Sequence, residues 1–264
     1  MTTRMHAWML DLRVVWAIGR RGTKAWITSP PFFVITLLFP LTFFATFSGA
    51  LSSLADVEGF HYREGYTAFV YSFVILQAGA FGGVFTGYSA ARDFDIGFAP
   101  RLFVTTVKRG PIIGGYVMVA VIRSVIATIA LTVAAMIGGM SSDARLGDAA
   151  QLVALVVMVS AIAAFWSCGV AMRVKASRAG PLMYAPILIV LFVTPVYVPT
   201  GLLSGWLLSL IRWNPVTYIV DGSRSLIAGS NGGVAHGFAW GVAMLVLTWV
   251  WALRSVRVAE RRAS

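Results

Sequence analysis

The stretch ARDFDIGFAPRLFVTTVKRGP, from Ala91 to Pro111, carries the densest cluster of chemically able side chains in the sequence. Asp93 and Asp95 stand two residues apart and are followed by Arg101, Lys108 and Arg109. Two neighbouring carboxylates could in principle hold a divalent cation or share acid–base work. With no histidine or further acid beside them, they read better as charges at a helix N-terminus. The rest of the chain offers little reactive chemistry. There is no G-x-x-x-x-G-K-[ST] run to cradle nucleotide phosphates and no H-E-x-x-H pair. His6, His61 and His236 are far apart, and the single cysteine, Cys168, sits inside an apolar run. A disulfide framework and a cysteine-rich metal site are therefore excluded within the chain. Glycine clusters such as GAFGG and GPIIGG lie in apolar runs, where close helix packing is the better reading. The chain is expected to have no catalytic residue, bound cofactor or metal of its own.

What positions these residues is a membrane. Of 264 residues, 58% are hydrophobic and only 12% charged, against about 25% charged in ordinary soluble domains. Such an apolar excess needs a bilayer rather than one soluble core. The expected fold is an all-α integral membrane protein, a single transmembrane domain over residues 1–264. Six spans can be placed at about Pro31–Leu51, Tyr66–Tyr88, Pro111–Gly139, Ala149–Met172, Leu182–Val198 and Phe238–Leu253, each near the roughly 20 residues that cross about 30 Å of hydrocarbon. The fifth is short and carries Pro186 and Pro195.

The net charge of +11 would suggest nucleic acid in a soluble protein. Here its distribution points to topology instead. With six spans, 16 of the 21 lysines and arginines fall on one side. That bias puts both termini in the cytoplasm, and nucleic acid is not an expected partner. Arginine outnumbers lysine 18 to 3, with abundant alanine and valine, a composition resembling that of high-GC bacteria. The bacterial cytoplasmic membrane is the expected location. The leading residues are broken by Arg4, Asp11 and Arg13 and lack the apolar core of a cleavable signal.

Three segments are not plain spans or loops. Residues 1–29 place Trp8, Leu12, Val15, Trp16 and Gly19 on one helical face and Arg13, Ala17, Arg20 and Lys24 on the other. That pattern suits an amphipathic helix in the membrane interface, with a soluble helix packed on a partner as the alternative. Residues 89–110 contain a second amphipathic helix, with Ala99, Leu102, Phe103, Thr106 and Val107 on one face. Asp93 and Asp95 precede it, where negative charge favours a helix start. Residues 199–233 are too apolar for an external loop and too broken by Pro199, Gly201, Gly205 and Pro215 for a span. A re-entrant helical hairpin dipping in from outside, before the last span, is expected.

Within the spans the large polar groups are Gln77 and Arg123. Arg123 either snorkels, bonds backbone carbonyls or belongs to a substrate path. Phenylalanines crowd the first two spans, Phe43 and Phe81 among them. They could line an apolar path, or face lipid or a subunit interface.

Two motifs carry a resemblance. WNPVTYIVDGSRSLIAG, Trp213–Gly229, with the preceding FVTPVYVPTGLLSGWLLSLIRW, resembles the C-terminal signature of type-2 ABC exporter membrane subunits, notably the daunorubicin-resistance branch, DrrB and DrrC. The loop from Asp93 through Gly97, Arg101 and Leu102 to Arg109 is similar to the same family, which has proline where this chain has Thr106. The resemblance implies that Asp93, Gly97, Phe98, Arg101, Leu102, Phe103 and Arg109 form a coupling helix against a separate ATP-binding subunit. It also implies that Trp213, Asn214, Pro215, Tyr218, Asp221 and Arg224 belong to an outer hairpin or gate. ATP and Mg would be bound by two partner ATP-binding subunits, beneath this chain paired with a second copy or a homologous permease. The implied activity is export of hydrophobic or amphipathic molecules, drugs or lipids, from the cytoplasm or inner leaflet. Export of polysaccharide or glycolipid is the alternative within the class. An ion-coupled secondary transporter is the alternative outside it, although no Asp or Glu lies well inside a span. A membrane-embedded enzyme would need a clustered acid, base or nucleophile, which the sequence lacks.

Overall fold

The computed structural model of the chain describes residues 2–105, 110–196, 199–200 and 203–261. They form helices α1 (Thr2–Ile27), α2 (Pro30–Ala50), α3 (Gly65–Asp95), α4 (Phe98–Thr105), α5 (Gly110–Ile137), α6 (Leu146–Val174), α7 (Gly180–Phe192), α8 (Gly205–Trp213), α9 (Pro215–Ile227) and α10 (Val234–Arg261), with no strand among the described residues. α1 ends just before Pro30 and Pro31, which open α2. Proline suits the first turn, where its missing N–H would have no partner.

Five helices, α2, α3, α5, α6 and α10, are long and apolar enough to cross a membrane. Each covers one of the expected spans. α7 is different: its 13 residues reach about 20 Å at ~1.5 Å per residue, short of the hydrocarbon thickness. Any sixth crossing therefore has to be finished by the residues after Phe192, of which 193–196 are not helical.

The molecule is organised around α3. Ala68, Val70, Phe73, Val74, Ile75 and Leu76 have no exposed surface, although half of them would face lipid on an isolated span. α3 lies against α6 on one side and α5 on another, α10 covers α6, and α1 runs along α5. The α3–α6 approach depends on Gly79, Gly83 and Gly87, four residues apart on one stripe. A Cβ on any of them would meet Val156, Ser160 or Ser167 of α6. Such small-residue stripes let membrane helices gain dispersion contacts where the hydrophobic effect between helices is absent. The Ser167 hydroxyl also donates to the Gly83 carbonyl at 3.0 Å. α1 meets α5 in the same way. Gly115 admits Ile18, and Gly19 and Gly22 admit Met118 and Val119.

The outer surface is greasy. Val34, Ile35 and Leu38 on α2, Ile129 and Val133 on α5, and Val242, Val246 and Leu247 on α10 are exposed, as a lipid-facing coat requires. α1 is split: Val15 and Gly19 take part in packing on α5, while Leu12 and Trp16 are 64% and 60% exposed. The expected apolar face thus serves both a protein neighbour and an open side.

The connections gather at two ends. At one, Arg63 pairs with Asp143 at 3.1 Å, Ser142 donates to the Ile227 carbonyl at 2.9 Å and Tyr62 donates to the Arg224 carbonyl at 2.9 Å. At the other, basic end, the Ser177 N–H donates to Asp95 at 3.0 Å and Arg173 to Ser255 at 2.9 Å. The loops assigned to opposite sides by charge are those that meet at opposite ends.

Gly83→Leu is expected to separate α3 from α6 and cost about 1–3 kcal/mol or more, read as a lower unfolding temperature and loss of monodispersity in detergent. Gly147→Ala, at an exposed site with open space around it, should be neutral or stabilising by up to about 1 kcal/mol.

Candidate functional site

At the basic end, three helices are tied by one carboxylate. Asp93 lies in the last turn of α3, 7% exposed. Both its oxygens accept from the Arg21 guanidinium of α1, at 2.9 Å each, and Oδ2 also accepts from the Tyr116 hydroxyl of α5 at 2.8 Å. A negative charge in the last turn of a helix opposes the helix dipole. The bidentate fork and the phenol supply the compensation. The bond to Asp93 raises the Arg21 pKa above its ordinary value, burial working against it. The other face of the guanidinium lies over the Phe98 ring, 3.6 Å from its centroid. Phe98 is the first residue of α4. Arg21 thus joins α1, α3 and α4, and Tyr116 adds α5.

Between α3 and α4 the chain turns at Gly97, whose φ of 73° lies where a side chain is strained. On α4, Ala99 is buried, Leu102 packs against the core and Arg101 is exposed. This agrees with the two-faced helix read from the sequence. The Phe103 side chain, Thr106 and Arg109 lie outside the described residues. Two expectations change. Asp93 and Asp95 do not start α4: α3 continues to Asp95, two turns past the expected end of its span. Asp93 is spent on Arg21 and Tyr116, and Asp95 holds the backbone at Ser177, ahead of α7. Phe98, expected among the residues facing a partner, is half-buried with the Arg21 guanidinium over its ring.

In the middle of the bundle, Gln77 is fully buried with neither amide atom bonded. Phe81 is buried between Phe39 and Tyr184, with ring centroids 5.4 and 5.2 Å away, and Phe43 packs on Phe47 and Phe73. These aromatics form a ladder joining α2, α3 and α7. Arg123 is 4% exposed and reaches Thr86 and Ser89 of α3.

At the far end the NPVTY segment forms a helix start with its own anchors. Asn214 caps α9, its Oδ1 accepting from the Val216 N–H at 3.0 Å, with Pro215 in the first turn. Its Nδ2 donates to the carbonyls of Val190, at 2.7 Å, and Val193, where α7 ends. One amide therefore satisfies groups at two helix ends, as a water-poor setting demands. Tyr218 donates to the Arg212 carbonyl at 3.0 Å and stacks on Trp240. Arg224, 7% exposed, donates to the Pro195 carbonyl at 2.6 Å, pairs with Asp221 at 3.4 Å and lies 3.6 Å over Phe69. Trp213 is 86% exposed. α8 and α9 are joined at Asn214, with α9 lying on α10, α3 and α6.

Arg21, Tyr116, Trp26 and Tyr62 were not singled out by sequence. Arg21 counted only as one more basic residue, and its partner is 72 positions away. No local signal pointed to the pairing, because Asp93 reads as a charge at the start of the next helix, whereas α3 runs on past it.

In a double-mutant cycle with Arg21→Ala and Asp93→Ala, the coupling is expected in the lower half of the roughly 0.5–3 kcal/mol found for contacting pairs. Arg21 keeps 41% of its side chain exposed, and solvent screens it. Asn214→Ala should cost about 2 kcal/mol, combining a lost cap with stranded carbonyls. Thermal unfolding in a constant detergent checks both.

The family model described as ABC-2 type transporter matches residues 13–228. No curated protein matches the chain.

Proposed function

The chain belongs to the ABC-2 type transporter family, and from that premise we propose that this permease component is the transmembrane subunit of an ATP-driven exporter. It would work as a pair, with a second copy or a homologous permease, over two ATP-binding subunits that bind ATP and Mg. The observation that carries the reading is the bonding of the basic end. α4 presents Arg101 outward while its first residue is gripped by Arg21, which also grips α3. A push on α4 therefore reaches α3 directly. α3 is one unbroken helix of 31 residues, about 46 Å long at ~1.5 Å per residue, and it is the packing centre of the bundle. Because α1 is fastened to the same carboxylate, it moves with α4 rather than past it.

The absence of a phosphate-binding loop in the chain supports a separate motor subunit. The charge bias supports cytoplasmic termini in the bacterial inner membrane. Six crossings, with α7 and the residues after it making the fifth, are our reading of the topology, and α8–α9 is the re-entrant hairpin at the outer face. The motifs around Trp213 support placement in the daunorubicin-resistance branch. A hydrophobic or amphipathic cargo, drug or lipid, suits the aromatic ladder of α2, α3 and α7 and the apolar outer faces. In this family reading, multidrug efflux and antibiotic resistance would be consequences of such a cargo.

The test is reconstitution with candidate ATP-binding subunits in lipid nanodiscs. A stable complex is expected, with ATPase activity that falls at least about tenfold, ~1.4 kcal/mol of coupling, when Arg101→Glu and Phe103→Ala are introduced together. Intact complex formation and transport with those changes would contradict docking through α4. Flux driven by an ion gradient with no ATP-binding chain would contradict the exporter reading itself.

A further inference from the structure

A cavity of about 320 Å³ lies at the basic end between α1, α2, α3 and α5. Its lining includes Arg21, Arg92, Arg123 and a single carboxylate, Asp93. That is an excess of two positive charges. The carboxylate has no capacity to offset them, because Arg21 and Tyr116 already occupy it.

Arg123 is the unusual member. It is 4% exposed and pairs with no carboxylate. Its two guanidinium contacts, to Thr86 at 3.3 Å and Ser89 at 3.5 Å, are longer than good N–H···O bonds, and its Nε–H has no acceptor. Thr86 and Ser89 donate their own hydrogens to the carbonyls of Gly82 and Phe85 at 2.9 Å, so each offers the guanidinium only a neutral hydroxyl oxygen. Trp26, 2% exposed, sits 5.4 Å from the same guanidinium, and its indole N–H also lacks an acceptor. The contacts are to side-chain hydroxyls, so neither snorkelling into solvent nor capture by backbone carbonyls accounts for this arginine. A buried cation and a buried indole N–H, both short of acceptors and both on residues that line one cavity, define a place for an anion.

The surroundings say what the anion is attached to. Ala25 and Thr28, at the junction of α1 and α2, line the cavity and are exposed, which makes a mouth at the level of the interfacial helix. On the other side, Phe85 and Tyr88 are shared with a neighbouring cleft of about 520 Å³, walled by Pro181, Met183, Tyr184 and Leu188. A donor-rich chamber and an apolar cleft with a common wall match a molecule with an anionic head and a greasy tail.

We propose that this is a binding site for the phosphate head of an amphipathic molecule from the leaflet at the basic end. Arg123 and the Trp26 N–H hold the head, and the tail lies in the Phe85–Tyr184 cleft. The site deepens the permease reading, on which it rests for the placement of that end in the membrane, by naming a phosphate-bearing lipid-like ligand class.

The test is native mass spectrometry of the full chain in detergent, titrated with phosphatidylglycerol, diacylglycerol or free glycerol phosphate. One phosphatidylglycerol per chain is expected to be retained, with diacylglycerol binding at least tenfold more weakly. Free glycerol phosphate at equal concentration should fail to displace it. Arg123→Gln should weaken phosphatidylglycerol at least tenfold, with partial recovery in Arg123→Lys. Trp26→Phe, which keeps the ring and removes the N–H, should weaken it severalfold and serves if the arginine variant does not fold. Equal binding of diacylglycerol, or unchanged binding in both Arg123→Gln and Trp26→Phe, would overturn the head assignment. Displacement by equal glycerol phosphate would overturn the tail assignment. No ATP-binding subunit takes part, so failure here is distinct from failure of the exporter reading, which the reconstituted ATPase decides.

Discussion

A carboxylate at the C-terminal turn of a long apolar helix is in an unfavourable field, and Asp93 is held there only because cations and donors from other helices come to it. Arg21 approaches from α1 with both terminal guanidinium nitrogens, and Tyr116 approaches from α5. The same arginine covers Phe98 at the start of α4. Once these bonds are made, α1, α3 and α4 share one fixed point. The close α1–α5 contact through Gly19, Gly22 and Gly115 reinforces that arrangement, since α1 must lie near α5 for Arg21 to reach Asp93. The cavity around Arg123 is a by-product of the same geometry, walled by α1 on one side and α3 on the other.

The far end follows a different rule. There the backbone is irregular, and among the described residues side chains bond its breaks at the end of α7, the start of α9 and Pro195. Asn214 serves the start of α9 and the carbonyls at the end of α7, while Arg224 holds the Pro195 carbonyl. In a bilayer such groups have no water to fall back on, so a broken helix pair persists only where polar side chains are placed to meet it. The NPVTY segment is therefore first a structural device. Its tyrosine and asparagine fix the junction of α8 and α9 against the end of α7.

Much of this was legible in the sequence because its signals are local. The long apolar runs, the prolines opening α2 and the two-faced pattern of α4 all depend on neighbouring residues, and the described residues have them. Glycine clusters read as packing surfaces are packing surfaces. α7 came out too short for a span because it runs through Pro186 but stops at Phe192, three residues ahead of Pro195. What sequence missed is non-local. Asp93 and Asp95 looked like helix-start charges, yet α3 runs on through both, and their partners come from positions far along the chain. Arg123 stayed ambiguous between snorkelling and a path until its neighbours were known. Hydropathy says that a charge is buried and says nothing of which groups surround it.

The central claim is that α1 and α4 move as one body through Arg21 and Asp93. Its most direct test is electron paramagnetic distance measurement in the complex with its ATP-binding partner. Spin labels would sit at the exposed positions 20 on α1, 96 beside α4 and 257 on α10, with Cys168, the one native cysteine, replaced. The expected result is a 20–96 distance that stays constant between nucleotide-free and ATP-bound states while both distances to 257 change. A 20–96 distance that changes on ATP binding, in a complex whose motor subunits close normally, would contradict the claim.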